Sequence, residues 1–385
     1  MPNSSMRAAV LVDVDRIEVR DVPRLMPAPH EVMVCVQAVG LCGTDMHIVS
    51  GHANYNRDER GNVRSLHDHP QILGHEIAGI VAEVGSAVRT LRAGARVVID
   101  QGRTCVSEAR VPVCEYCVTG DSHQCEHYRE HGITGLPGGL AEFITVPAIN
   151  AVRIESDIAA DSAALTEPLG CILHSTDFLT RANSRYALGA AGRDQSVNAM
   201  LICGAGPAGL LFVQYLRNVI GYDGLLLVSE PNARKRGLAE RYGALAIDPF
   251  TVDVTGAVHD LTDGRRLELL IDASGAGEVY ANIPGLVRKQ GTVLMYGHGH
   301  AGEDLSVLNG IQFLEPTLIS PAGASGGHDA DGRPSTYVRA LRLIEDGVID
   351  VASLITHRYT SLDGVAGAFG GDHQLPEYVK GVVVL

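Results

Sequence analysis

The sequence predicts an α/β protein in which a β-rich domain accompanies a doubly wound parallel-sheet domain. Three observations predict it. The first third of the 385 residues alternates polar and apolar positions between Gly, Pro and Asp punctuation, as half-buried strands do. From about residue 196, apolar strand-like runs alternate with helical stretches, the pattern of buried parallel strands with crossover helices. At the head of that second region the run NAMLICG leads into GAGPAG, a glycine-rich turn that opens a helix.

The elements follow in chain order. MRAAVLV, DRIEVRDV, EVMVCVQAV, EIAGIVAEVG, ARVVID and LAEFITV read as short strands, together an all-β, barrel-like module. The stretch 53–70, ANYNRDERGNVRSLHDHP, is polar and long for a connection, hence either a functional loop or a mobile one. In the second region NAMLICG, GLLLVSE, LELLIDASG and GTVLMYG are strands, and PAGLLFVQYLRNVIG, NARKRGLAERYGA and EVYANIPGLVRKQ lie in the helical stretches between them. After PTLIS the pattern changes again: STYVRALRLIEDG is an amphipathic helix and YVKGVVVL a closing strand. The expected division is a β-rich domain over 1–168 that is completed by 321–385, with the doubly wound domain over 169–320 inserted between them.

Composition narrows the class. Hydrophobic residues make up 45% and charged residues 20%, enough to bury a full core. A net charge of −14, spread rather than blocked, argues against nucleic acid and anionic membranes as partners. No run of 18 apolar residues is present, so no membrane span is expected. MPNSSMRAAVLVDV lacks a basic segment followed by an apolar one, which makes a cytoplasmic location the expectation. Trp is absent and aromatics are 5%, which disfavours a large aromatic-lined pocket.

GAGPAG, residues 204–209, has the physical logic of a pyrophosphate site. Gly204 makes a tight turn, Gly206 lets backbone approach the phosphates, and Gly209 lets helix and strand pack closely. Pro207 and Ala208 begin the helix whose N-terminus faces the phosphates. Glu230 ends the next strand, 21 residues past Gly209, where a carboxylate binds a ribose 2′-OH. It favours NAD over NADP because it repels a 2′-phosphate. Arg234, Lys235 and Arg236 point the other way, and Arg234 is a candidate cofactor contact unless the three lie on the outer face of the helix.

Eight cysteines occupy positions 35, 42, 105, 114, 117, 125, 171 and 203, and in a cytosolic chain such clustering points to metal rather than disulfides. Cys35 and Cys203 sit in apolar runs, as small buried hydrophobes do. GLCGTDMHIVSG, residues 40–51, crowds Cys42, Thr44, Asp45 and His47 into one turn. LGHEIAG supplies His75 and Glu76, and LTEPLG supplies Glu167. Thiolate, imidazole and carboxylate are all zinc ligands, and a catalytic zinc needs three protein ligands and an open position.

The order GLCGTDxH, GHE, EPL, GxGPxG resembles the zinc-dependent medium-chain alcohol dehydrogenases, and GHE with EPL resembles their polyol, sugar and threonine dehydrogenase branch. The resemblance covers nearly the whole chain. It implies a GroES-like catalytic domain and a Rossmann domain with the site in the cleft, a homodimer or homotetramer, and two Zn2+ ions, one catalytic and one structural. Cys42, His75 and Glu76 would hold the catalytic ion, with Glu167 a fourth ligand or the holder of its water. Thr44 would take the substrate proton and His47 pass it on. Asp45 has no implied role and could cap the local turn. Since one thiolate and one carboxylate already cancel Zn2+, Glu167 is expected to come and go or to act through water. Cys114, Cys117 and Cys125 have the C-x2-C-x7-C spacing of the last three structural ligands. Val111 stands where the family's first ligand falls, so Cys105, eight intervening residues before Cys114, is the expected substitute. The expected substrate is a small polar secondary alcohol such as a polyol, sugar or (amino)cyclitol, with a simpler threonine- or butanediol-type alcohol as the alternative. Asn54, Asn56, Asp58, Arg60 and Asn62 of the long loop are candidates to bind its hydroxyls. His67 and His69 lie near the substrate mouth or on the surface, His298 and His300 line the nicotinamide or face solvent, His174 sits in a helix, and His123 and His127 are exposed. A metal-free quinone or enoyl reductase and a non-catalytic nucleotide-binding protein are the other classes weighed. A full set of metal ligands argues against both.

Overall fold

A computed structural model describes residues 5–190, 192–299 and 306–385. Two compact units divide the chain, Met1–Gly170 with Ala324–Leu385, and Cys171–Gly323. No described helix is long and apolar enough to cross a membrane.

In the first unit, Ser5–Asp13 pairs antiparallel with Arg16–Pro23 and with the short strand Gln71–Ile72. A seven-stranded sheet runs Ala151–Arg153, Arg96–Ile99, Glu76–Val84, Glu31–Gly40, Lys380–Val384, Ile355–Tyr359, with Phe143–Pro147 also on Glu31–Gly40. The strands thus make two sheets around one core rather than a single barrel. Period-2 alternation sends Ala9 and Leu11 of the small sheet into the core that holds Val32, Val34, Ile77, Val97 and Ile99 of the large one. Each such fully buried side chain contributes about 1.5–3 kcal/mol.

Register decides where chemistry can occur. Gly40 lies opposite Glu76, Ile99 opposite Ile77, and Val382 opposite Gly40. The end of Glu31–Gly40, the start of Glu76–Val84, the end of Arg96–Ile99 and the start of Lys380–Val384 therefore meet at one edge of the sheet.

The second unit carries six strands in the spatial order Leu245–Ile247, Leu225–Ser229, Ala199–Cys203, Leu267–Asp272, Val287–Met295, Thr317–Ile319, with every pairing parallel. In chain order this is 3-2-1-4-5-6, the doubly wound arrangement whose ligand crevice opens beside the first strand. The stretch EVYANIPGLVRKQ is not helical throughout. The helix stops at Leu286, after Pro284 and Gly285, and Val287 already begins the next strand.

Candidate metal centre and nucleotide site

Cys42 is the N-cap of the helix Gly43–Val49, directly after the strand that ends at Gly40. Its N–H donates to Asp45 Oδ2 at 3.0 Å. Asp45 is fully buried, and its Oδ1 accepts the Gly74 N–H at 3.2 Å and stands 3.5 Å from His75 Nδ1. One carboxylate thus caps the helix and fixes the turn that presents His75. Burial opposes a charge on His75, but Asp45, helped by Cys42, holds its pKa well above the ordinary value. Asp45 thus ties the Cys42 and His75 segments together, a placement the sequence reading did not foresee beyond capping. The three-residue step from Cys42 to Asp45 is the capping-box spacing and was its signal.

The ligand atoms of Cys42, His75 and Glu76 lie within 4.8 Å of one another. Glu76 is fully buried, with Oε1 2.5 Å from Lys380 Nζ. The same ammonium donates to the Leu41 carbonyl at 2.9 Å. Burial would lower the Lys380 pKa, yet the Glu76 charge outweighs it and holds the lysine above its usual range. Glu76 Oε2 is buried with no hydrogen-bond partner, a costly state that a bound cation would relieve. Space for it depends on Gly40, where a Cβ would fall 1.9 Å from Glu76 Oε2. The donor set and the orphan oxygen fit a zinc ion. Cys42 Sγ lies 3.8 Å from Thr44 Oγ1, and Thr44 and His47 are half-buried on one face of the short helix.

Glu167 stands outside the cluster formed by Cys42, His75 and Glu76. It is buried at the first turn of the helix Thr166–Arg181, where its Oε1 accepts from Gln101 Nε2 at 3.1 Å.

The sulfurs of Cys105, Cys114, Cys117 and Cys125 form a second cluster within 4.8 Å. All four are free thiols, and Cys105, Cys117 and Cys125 are buried. Val111 is 93% exposed, so the eight residues between Cys105 and Cys114 loop out and Cys105 takes the fourth corner. Backbone N–H groups of Cys117 and Glu126 lower the Cys114 thiol to about 7, while burial pushes Cys117 up to about 12. A cation is what would bring all four to the thiolate form. Cys105→Ser should therefore release one zinc per chain and lower the melting temperature, read by elemental analysis and calorimetry.

The nucleotide crevice is a cavity of about 640 Å3 lined by Cys203, Gly204, Gly206, Glu230, Asp253 and Ser274 among others. Gly204 has φ +94, and a Cβ on Gly209 would fall 2.0 Å from the Gly204 carbonyl, so both glycines are structurally required. A Cβ on Gly206 would meet nothing, which leaves its backbone open to an approaching ligand. Gly206 caps the helix Pro207–Asn218, with Pro207 at its first position and Ala208 next. Glu230 is buried and accepts the Ala205 N–H at 2.7 Å and the Asn232 N–H at 2.9 Å. Arg234 is exposed and is not among the residues that line the cavity. The helix Ala233–Arg241 turns it outward, and Arg236 is occupied by the Glu230 carbonyl and Asp248.

Comparison with known proteins is consistent with both sites. Residues 28–156 match the alcohol dehydrogenase GroES-like domain and residues 207–346 the zinc-binding dehydrogenase domain. The L-threonine 3-dehydrogenase of Pyrococcus furiosus is 31% identical over 350 residues, which span 91% of this chain and 89% of that protein. The chain belongs to the zinc-dependent medium-chain alcohol dehydrogenase family. It is an oxidoreductase that acts on alcohols. Sorbitol dehydrogenase of Halalkalibacterium halodurans is 26% identical to this dehydrogenase over 342 residues, 89% of this chain and 88% of that one. A Sinorhizobium meliloti 1021 structure bound to NADP, described as a zinc-binding dehydrogenase, superposes with a TM-score of 0.79 at 29% identity, covering 100% of both chains. The 2R,3R-butanediol dehydrogenase of Bacillus subtilis shares the fold at 21% identity, with a TM-score of 0.78 over 99% of this chain and 100% of that one.

Several residues of the dehydrogenase differ from expectation. His123 is buried, not exposed: the 3-10 turn Ser122–Gln124 folds it onto Tyr128, with Nε2 3.8 Å from Asp100. His127 is exposed, as are His67, His69 and His298, and His300 lies outside the described residues. His174 is buried in its helix against Phe178, Cys203 is buried, and Cys35 is half-buried. The polar groups of the long loop pair within it. Asp58 accepts from Asn62 and Arg60, and Asn54 donates to the Arg64 carbonyl while its oxygen takes the Asn56 N–H. The loop is thereby self-structured, and of its five candidates for binding hydroxyls three have their side chains engaged locally. Lys380 was not singled out from the sequence at all.

Proposed function

We propose that this dehydrogenase oxidises a small polar secondary alcohol to a ketone with NAD, using a zinc held by Cys42, His75 and Glu76, and that a second, structural zinc sits in the cysteine lobe. The carrying observation is the buried thiol–imidazole–carboxylate cluster with its orphaned Glu76 oxygen. When bound there, zinc polarises the alcohol oxygen and lowers its pKa. Lys380 neutralises Glu76 from behind, so the thiolate and carboxylate do not fully cancel the ion's charge. Asp45 keeps His75 in its orientation. Thr44 Oγ1, next to Cys42, takes the substrate proton and His47, a turn further along the helix, passes it on. Glu167, outside the three-residue cluster, would serve the same centre as an intermittent fourth ligand or through water.

NAD preference rests on Glu230 at the cavity wall, with Asp253 and Glu278 adding negative charge and, among the described residues, no basic one lining it. Glu230→Ala should weaken NAD about 10- to 100-fold, the worth of hydrogen bonds to a charged group. The same change should narrow the gap to NADP in steady-state kinetics. A wild-type preference for NADP would reverse the assignment.

The substrate class follows the relatives, a threonine dehydrogenase at 31% identity and a sorbitol dehydrogenase at 26%. A β-hydroxy amino acid is therefore a second reading beside polyols, sugars and cyclitols. NADH formation should be measured across L-threonine, sorbitol, inositol and 2-butanol. A preference for 2-butanol would overturn the polar-substrate proposal.

A further inference from the structure

Glu167 heads a buried chain of three side chains, and the proposed chemistry gives no role to the other two. Gln101, Tyr337 and Glu167 are each 5% exposed or less. Gln101 follows the strand Arg96–Ile99. Antiparallel register pairs Ile99 with Ile77, so two further residues bring Gln101 level with His75. Tyr337 comes from the helix Ser335–Glu345 in the returning segment of the chain. Gln101 Nε2 donates to Glu167 Oε1 at 3.1 Å, and the Tyr337 hydroxyl donates to Gln101 Oε1. The directions are forced. A carboxylate only accepts, so the amide NH2 must face Glu167, and the amide oxygen must then face Tyr337.

We propose that Gln101, oriented by Tyr337, is a positioning residue that tethers Glu167 outside the ligand cluster, so that the fourth zinc position stays open to substrate. The proposal rests on the reading that Glu167 serves the catalytic zinc. A buried carboxylate that loses one of its partners gains more from a nearby cation. Once released, Glu167 would bind the metal directly, hold it more tightly and make it a poorer Lewis acid. The tether therefore has an unusual signature: its loss strengthens metal binding while slowing turnover. Loss of a merely structural contact would weaken both.

The test uses full-length protein with zinc in the cysteine lobe and either zinc or cobalt at the catalytic position. Gln101→Leu should slow catalytic zinc release to a chelator about tenfold, within the range of outer-shell effects. It should shift the visible cobalt spectrum and lower kcat, and Tyr337→Phe should do the same to a smaller extent and stands in if Gln101→Leu does not fold. Adding Glu167→Gln to Gln101→Leu should restore both release rate and spectrum. Unchanged or faster zinc release in Gln101→Leu and Tyr337→Phe, with Glu167→Gln alone altering the spectrum, overturns the tether. If Glu167→Gln alters neither spectrum nor release in any background, the reading of Glu167 itself fails.

Discussion

Lys380→Met should destabilise the metal-free protein by about 3–5 kcal/mol, the cost of stranding one member of a buried ion pair. Glu76 and Lys380 are 0% and 3% exposed at their side chains, so no water can replace the lost partner. The Leu41 carbonyl would lose its donor as well. Zinc should partly rescue the variant, because the stranded Glu76 gains a second cation as partner. Urea unfolding of the metal-free and zinc-loaded forms measures both quantities. A loss below about 1 kcal/mol in the metal-free form, the value of an exposed pair, would mean that Glu76 is not dependent on this lysine.

Cys42→Ser should abolish turnover while leaving the fold intact. The side chain is half-buried at a helix start, where the Cys42 N–H donates to the Asp45 carboxylate and the side chain faces the Asp45 N–H; a serine hydroxyl fills the same place, so the serine variant keeps the cap. What it loses is the thiolate, the softest donor in a cluster whose other members are imidazole and carboxylate. Catalytic zinc should fall below one equivalent while zinc in the cysteine lobe stays. Residual activity above a few per cent with full metal content would remove Cys42 from the ligand set. Gly40→Ala tests the same centre by shape alone, since its Cβ would displace Glu76 Oε2.

The chemistry-bearing side chains were legible where chemistry dictates residue type. Cys42 meets the adjacent pair His75 and Glu76, distant from it in the chain, in one cluster, and the four spaced cysteines meet in another. The doubly wound sheet was legible because buried parallel strands read as apolar runs. What the sequence hid were partners whose identity is not special until the fold places them. Lys380 is a lone cation in YVKGVVVL, and only the pairing of its strand with Glu31–Gly40 brings it to Glu76. Gln101, directly after ARVVID, has nothing in its sequence neighbours to mark it. The long loop looked free to bind because a sequence lists its hydrogen-bonding groups without showing that Asp58 already satisfies Asn62 and Arg60. His123 misled for the same reason, since nothing in DSHQC announces that Asp100 and Tyr128 close over it.

The strand that carries Lys380 also sets a timetable for maturation. All four sulfurs of the cysteine lobe fall within residues 105–125, so a growing chain can capture that ion soon after this segment leaves the ribosome. Glu76 emerges earlier still, but its ammonium partner is separated from it by 304 positions and is synthesised long after the nucleotide-binding unit. During that interval the carboxylate has no buried cation and the edge of its sheet lacks the strand Lys380–Val384. A metal held by Glu76 would thus reach a finished site only after translation has passed Lys380, and a chain stalled before that point would have a complete cysteine lobe and an incomplete Glu76 site.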